Sequence, residues 1–91
     1  MDIQFDAVKD AANRAKHGVS LALAASLEWD LLIAEEDTRE SYGELRMRGF
    51  APIGDRVYCV VFTEQNETVR VISLREASRK EVRMYARHSQ I

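Results

Sequence analysis

The amino-terminal segment alternates polar and apolar residues over Asp2, Ile3, Gln4 and Phe5 and stops at Asp6. That pattern predicts a short edge strand followed by a helix N-cap. From Val8 the apolar residues recur at Val8, Ala11, Ala12 and Ala15, and Gly18 follows where helix C-termini favour glycine. The spacing predicts a helix that ends near His17 and packs by this stripe. Lys9, Asn13, Lys16 and His17 stand at i, i+4, i+7 and i+8, so they share its other face, which reads as polar and cationic. Ser20 predicts a second N-cap, for a short helix from Leu21 to about Leu27 whose leucines and alanines read as core.

Trp29 to Ile33 reads as an apolar strand that runs into an acidic connection at Glu35-Glu36-Asp37-Thr38-Arg39-Glu40. Tyr42 to Phe50 alternates, with Glu44, Arg46 and Arg48 on one face and Leu45 and Met47 on the other, and so predicts a strand. Pro52 and Gly54-Asp55 mark a turn, and Arg56 to Thr63 is rich enough in β-branched and aromatic residues to predict a central strand. The short polar link Glu64 to Thr68 joins it to Val69–Arg75 as an antiparallel hairpin. Glu76 to about His88 has good helix formers and neither glycine nor proline, with Val82, Tyr85 and Ala86 on the face expected to meet the sheet. The elements together predict an α+β fold, with two N-terminal helices and one C-terminal helix packed on a mostly antiparallel β-sheet.

Composition changes this picture little: 91 residues, 46% hydrophobic and 31% charged, describe one ordinary folding domain over 1–91. The longest apolar run, Val57 to Phe62, is far short of the roughly 20 residues needed to cross a bilayer, so no span is expected. The first residues carry acids and no cationic segment leading into an apolar one, so no secretory signal is read there and a cytoplasmic protein is expected. The single cysteine, Cys59, has neither a disulfide partner nor metal-ligand neighbours, and in a strand-like run it reads as a small hydrophobe.

Charge changes it more. The net charge of −2 hides an asymmetry: residues 1–45 hold four basic and ten acidic side chains, residues 46–91 nine basic and five acidic. Arg75, Arg79, Arg83 and Arg87 recur every four residues, a ridge of the cation best suited to bidentate phosphate recognition. The C-terminal half is therefore equipped for a polyanion, although solvated surface pairs such as Glu76 with Lys80 would give the same composition.

Candidate chemistry is sparse. There is no Gly-rich phosphate loop, nucleophile elbow, dinucleotide fingerprint or paired-histidine metal spacing, and neither a cofactor nor a metal is expected. Of the two histidines, His88 lies near the chain end, which leaves His17 as the better proton carrier; a residue there also serves a helix C-terminus by interacting with its dipole. Arg70 and Arg75 are an odd number of residues apart in one strand, which puts Arg70 with Ile72 and Leu74, and Arg75 with Val71 and Ser73, unless a bend at the strand end brings Arg75 round. Each also reads as a partly buried arginine paired with an acid such as Glu44.

Several pieces stand in order along the chain: Asp6-x-x-Lys9-x-x-x-Asn13-x-x-Lys16-His17-Gly18-Val19-Ser20, Gly43-Glu44-x-Arg46, Val60-Val61-Phe62-Thr63, Arg70-Val71-Ile72-Ser73-x-Arg75-x-Ala77, and then Glu81 and Tyr85. In this the chain resembles the BrnT toxins over nearly its whole length. It departs from the common pattern at Phe5, where tryptophan is usual, at Gln65, where a basic residue is frequent, and at Leu74, where alanine is frequent. The resemblance implies a RelE-like fold and a ribonuclease toxin of a bacterial type II toxin–antitoxin pair, neutralised by a BrnA-type antitoxin in a heterotetramer that meets operator DNA through the antitoxin. It also implies metal-independent RNA cleavage by attack of the 2′-hydroxyl on the adjacent phosphate. Arg46, Arg70 and Arg75 would then stabilise the phosphate, Tyr85 and His17 would transfer protons, and Lys9, Lys16, Arg79 and Arg83 would bind RNA by charge. The competing expectation from the residues is a non-catalytic RNA- or protein-binding module that uses the C-terminal arginine ridge.

Overall fold

The β-branched run that predicts a central strand does occupy the middle of a sheet. In a computed structural model, which describes residues 1–89, the chain runs β1 (Asp2–Gln4), α1 (Ala7–His17), a 3-10 helix over Leu21–Ser26, a 3-10 turn over Trp29–Leu31, β2 (Ile33–Glu36), β3 (Met47–Ile53), β4 (Arg56–Gln65), β5 (Thr68–Glu76) and α2 (Arg79–Ser89). The five strands form one mixed sheet in the order β1-β5-β4-β3-β2, with β1 parallel to β5 and the other three pairs antiparallel. An α+β fold is observed, and the hairpin of β4 and β5 is its centre.

Local chemistry explains several boundaries. Asp6 caps α1 by accepting from the Lys9 amide at 3.0 Å, and Gly18 closes it at φ 71°, a left-handed conformation that suits glycine. The second N-terminal helix is a tight 3-10 coil rather than an α-helix, started by Ser20, whose hydroxyl accepts from Ala22 N–H. The strand expected at Trp29–Ile33 is displaced: Trp29–Leu31 coils, and the strand falls on Ile33–Glu36, running into the acidic stretch. Acidic residues are tolerated there because β2 is an edge strand, paired only with β3. The strand expected over Tyr42–Phe50 begins only at Met47 and runs through Pro52, whose carbonyl accepts from Glu28 N–H on the side away from β4. Beyond Phe50 that side is no longer covered by β2, so proline's missing N–H breaks no ladder bond. Glu76 stays in β5 rather than opening a helix; it pairs with Arg56 at 3.0 Å and not with Lys80. α2 starts instead behind Ser78, where the Ser78 hydroxyl accepts from Glu81 N–H and the Glu81 carboxylate accepts from Ser78 N–H, a reciprocal capping box.

One face of the sheet carries the main core. Leu21, Ala24 and Leu27 of the 3-10 layer pack on Ala51, Val60, Phe62, Val69, Val71 and Leu74, all buried. Trp29 meets Phe62 edge-on with centroids 5.3 Å apart and donates its indole N–H to the Ala24 carbonyl. The opposite face is covered over part of its area by α2, through a smaller cluster of Phe50, Cys59, Tyr85 and Met84.

α1 is turned the other way from its sequence pattern. Val8 is 77% exposed and Ala11 and Ala15 face outward, whereas Asn13, expected on a polar outer face, is 6% exposed. The reason lies in the sheet. β1 pairs with β5 only over Thr68 to Arg70, which leaves the outer backbone groups of β5 unpaired further along. Asn13 satisfies them: its amide donates to the Leu74 carbonyl at 2.8 Å and to the Val19 carbonyl at 2.9 Å, and its oxygen accepts from Leu74 N–H at 3.1 Å. Burying an amide with three partners along an open strand edge outweighs burying one valine and a few alanines.

A bulge in β5 settles how the strand's side chains are sorted. Val61 pairs with Ser73 and Phe62 with Val71, so Ile72 is the extra residue. The phase reverses there. Val69, Val71 and Leu74 all join the apolar core, while Arg70, Ser73 and Arg75 share the other face with their cross-strand neighbours Thr63, Val61 and Cys59. The odd spacing that separates Arg70 from Arg75 in an unbroken strand is thereby cancelled.

Candidate functional site

The part of this second face that α2 leaves uncovered is a groove. α1 walls it along the β5 edge, the segment between β2 and β3 closes another side, and β3, β4 and β5 form its floor. The cavity is about 350 Å³ and is lined by Lys9, Ala12, Asn13, Lys16 and His17 from α1, Arg39 from the loop, Arg48 from β3, Cys59 and Val61 from β4, and Ile72, Ser73 and Arg75 from β5. Six of these side chains are cationic or can become so, and among the described residues no carboxylate lines the cavity. The face of α1 that reads as cationic in the sequence is thus directed into a cleft.

The arginines are not loose. Arg75 forms a fork on Glu81, with Nη1 donating to Oε1 at 2.7 Å and Nη2 to Oε2 at 2.9 Å, and Arg48 Nη2 donates to the same Oε2 at 3.0 Å. Arg75's hydrogen bonds hold the Glu81 carboxyl down to about 2, against the opposing effect of burial. Arg39 is held by a bidentate pair with Asp37 at 2.7 Å, and the Tyr42 hydroxyl donates to the same carboxylate at 3.1 Å. Arg39's hydrogen bonds hold the buried Asp37 far below the ordinary carboxylate range. These pairs leave fixed guanidinium edges around a cavity otherwise furnished with Lys9, Lys16 and His17.

His17 is the groove's proton carrier of suitable range. Burial lowers its pKa below the ordinary 6.5, and repulsion from Lys16 and Arg75 lowers it further. The imidazole is therefore neutral at physiological pH and able to accept a proton. Cys59 lies on the groove floor, buried, and burial pushes its thiol pKa up against the pull of Arg75 and Arg48, which keeps it a thiol rather than a nucleophile.

Lys9, Lys16, His17 and Arg75 are thus brought together; the other expected site residues lie elsewhere. Arg70 donates to Glu44 at 2.8 Å and Arg46 to the same carboxylate at 3.0 Å, so these two meet on the same sheet face beside a neighbouring depression rather than in the groove. Arg46 also lies over the Tyr42 ring, 4.2 Å from its centroid. Tyr85, on α2, is buried against the sheet, its hydroxyl donating to the Leu31 carbonyl at 2.7 Å, and burial raises its pKa. Arg79 and Arg83 are exposed on α2 and do not line the cavity. Conversely, Arg39 and Arg48 line the groove without having been singled out from the sequence. Arg48 was legible in principle, alternating with Arg46 on one strand face; Arg39 arrives through a loop that no periodicity describes.

Among the described residues no group of three His, Cys, Asp or Glu side chains is placed to hold a metal ion, and no helix is long and apolar enough to cross a membrane. No curated protein matches the chain. A family model does: that of the ribonuclease toxin BrnT of type II toxin–antitoxin systems, over residues 5–81. The matched stretch runs from just before the α1 cap to Glu81, the carboxylate that holds two of the three groove arginines, and so takes in every residue that lines the cleft. With its groove and its sequence describing the same span, the chain belongs to the BrnT family of ribonuclease toxins of type II toxin–antitoxin systems.

Proposed function

We propose that the cleft between α1 and the sheet is the ribonuclease centre and that it cleaves RNA without a metal, in the RelE-like manner. The observation that carries this reading is the placement of His17 in one cavity with Lys9, Lys16, Arg39, Arg48 and Arg75. Strand scission by the 2′-hydroxyl requires a base for that hydroxyl, positive charge for the phosphorane oxygens and an acid for the departing 5′-oxygen. His17 takes the 2′-proton as the O2′–P bond forms. Arg75 and Arg48 face the two charged phosphorane oxygens, a role that guanidinium groups fill through fixed N–H edges. The P–O5′ bond breaks with a proton delivered from the Lys9 or Lys16 ammonium, leaving a 2′,3′-cyclic phosphate and a 5′-hydroxyl.

Arg39 extends the cationic track toward Arg46 and Arg70, which take the neighbouring phosphates, while Arg79 and Arg83 attract RNA through the solvent and make binding salt-sensitive. Tyr85 acts at a distance, anchoring α2 through Leu31. In the cytoplasm the cleavage inhibits translation and growth. A BrnA-type antitoxin neutralises it in a heterotetramer and supplies the contacts to operator DNA.

The test is incubation of the purified, antitoxin-free chain and its Arg75→Ala and His17→Ala variants with total RNA in EDTA, with mapping of fragment ends. Cyclic-phosphate ends made by the wild type and lost in both folded variants support the reading. Cleavage that needs an added divalent ion, or salt-sensitive RNA binding with no cleavage, overturns it, the latter in favour of a binding module.

A further inference from the structure

The carboxylate of Glu81 lies in the fork of Arg75, and it is also bonded to a second groove arginine and to the backbone. Its two oxygens accept four hydrogen bonds: Oε1 from Arg75 Nη1 at 2.7 Å and from Ser78 N–H at 2.8 Å, Oε2 from Arg75 Nη2 at 2.9 Å and from Arg48 Nη2 at 3.0 Å. A carboxylate has about four lone-pair sites, so this one has no acceptor capacity left for a substrate proton. The Ser78 contact belongs to the capping box that fixes the first turn of α2, so the carboxylate is held by the helix end rather than by a free rotamer. Arg48 has few other anchors. Its Nε is buried without a partner among the described residues, and its guanidinium lies 5.5 Å from the Phe50 centroid.

We infer that Glu81 is a positioning residue for the cleavage reaction: through the α2 capping box it holds Arg75 and Arg48 in fixed orientation where they line the groove. This rests on the reading of the groove as the ribonuclease centre. Glu81 touches no reacting atom, and it is not the base. Its negative charge lies beside the path of an anionic substrate, so it opposes RNA binding while it orders the groups that act on the transition state. That combination separates its two effects. Removing the charge and the acceptor together is expected to lower turnover and leave binding unchanged or tighter, whereas a residue that served stability alone would alter neither constant once the folded fraction is corrected for.

The experiment compares wild type, Glu81→Gln, Glu81→Asp, His17→Ala and Arg75→Ala on one labelled RNA transcript of mixed sequence, measuring kcat and KM in EDTA, with circular dichroism melts to confirm folding. Glu81→Gln replaces one acceptor oxygen by an N–H donor aimed at two guanidiniums. The expected result is a kcat lower by roughly ten- to a hundredfold with KM equal or reduced. Glu81→Asp keeps the charge with a shorter reach and is expected to recover part of the lost kcat. A second readout is independent of activity: the Nη–H signals of Arg75 and Arg48 in ¹⁵N spectra are expected to be resolved in the wild type and to broaden or average in folded Glu81→Gln. Wild-type kcat in folded Glu81→Gln, with His17→Ala and Arg75→Ala inactive, overturns the positioning role and leaves the groove reading standing. Full activity in His17→Ala and Arg75→Ala overturns both.

Discussion

Leu74 and Arg75 are adjacent in β5 and face opposite sides of the sheet. Leu74 is fully buried against the 3-10 layer in a cluster made only of apolar side chains. Arg75 is half-buried between α2 and an open groove, and its neighbours there are Glu81, Cys59 and the cationic face of α1. The first face is packed against the 3-10 layer, and the side chains it buries there are apolar. The second is covered by α2 over the Phe50–Cys59 end only, and the uncovered remainder is where the charged residues collect. The contrast shows how so short a chain accommodates both a core and a site: each face of one sheet has its own task, and a single bulge at Ile72 keeps the arginines of β5 on the second face.

Substitutions on the two faces are therefore expected to fail in different ways. The largest loss is expected from Leu74→Ala, which opens a cavity in the core and costs about 2–5 kcal/mol of stability; a melting temperature close to wild type would show that the 3-10 layer does not pack as described. Arg75→Ala is expected to keep the fold and lower RNA cleavage by roughly 10²–10³-fold, the range for losing a donor to a developing oxyanion. Cleavage and stability falling together there would erase the distinction between the faces. His17→Ala is expected to reduce cleavage by about a hundredfold.

The pH dependence sharpens this point. With its pKa below 6.5, His17 becomes an available base at a lower pH than an ordinary histidine, so wild-type activity should rise with pH and level off with a midpoint under 6.5. Because Lys16 contributes to that lowering, the His17 midpoint followed by NMR should move upward in Lys16→Ala; a downward or absent move contradicts the electrostatic account of the groove.

Asn13→Ala tests the boundary between the two faces. It leaves the Leu74 backbone groups unpaired at the sheet edge and is expected to cost about 1–3 kcal/mol, with faster hydrogen exchange at the Leu74 amide as the local signature. The smallest effects are expected at Arg79→Ala and Arg83→Ala on the exposed face of α2. Each should leave kcat and melting unchanged and, where it meets a phosphate, reduce the salt slope of RNA affinity by about 0.7. A large loss of turnover at either position would extend the site onto α2.

Much of the fold was legible because its signals are local. Asp6 and Gly18 bound α1 by capping and by left-handed backbone, and the alternation on either side of Glu64 to Thr68 gives the β4–β5 hairpin. The candidate site was legible in part for the same reason, since Lys9, Lys16 and His17 share a helical face at any orientation of that helix. What failed depended on partners distant in sequence. Val8, Ala11 and Ala15 read as core, yet they face outward, because Asn13 answers an open strand edge formed some sixty residues later. The acidic stretch reads as connection, yet Ile33–Glu36 pairs, because only its place at the edge of the sheet makes charged side chains tolerable there.

The sequence by itself determined where α1 is capped, that β4 and β5 form a hairpin, that the domain is α+β, and that cations concentrate beyond residue 45, because capping, periodicity and composition are properties of neighbouring residues. Its collinear motifs also carried the family. Only the tertiary structure decided which face of α1 is buried, that Arg70 and Arg75 lie on one side of the sheet, that Arg39 and Arg48 join the cleft, and that Glu81 holds two of its arginines. Those outcomes follow from strand register, from the one-residue shift at Ile72 and from backbone groups that must find partners across the fold, and none of these is set by any residue's immediate neighbours.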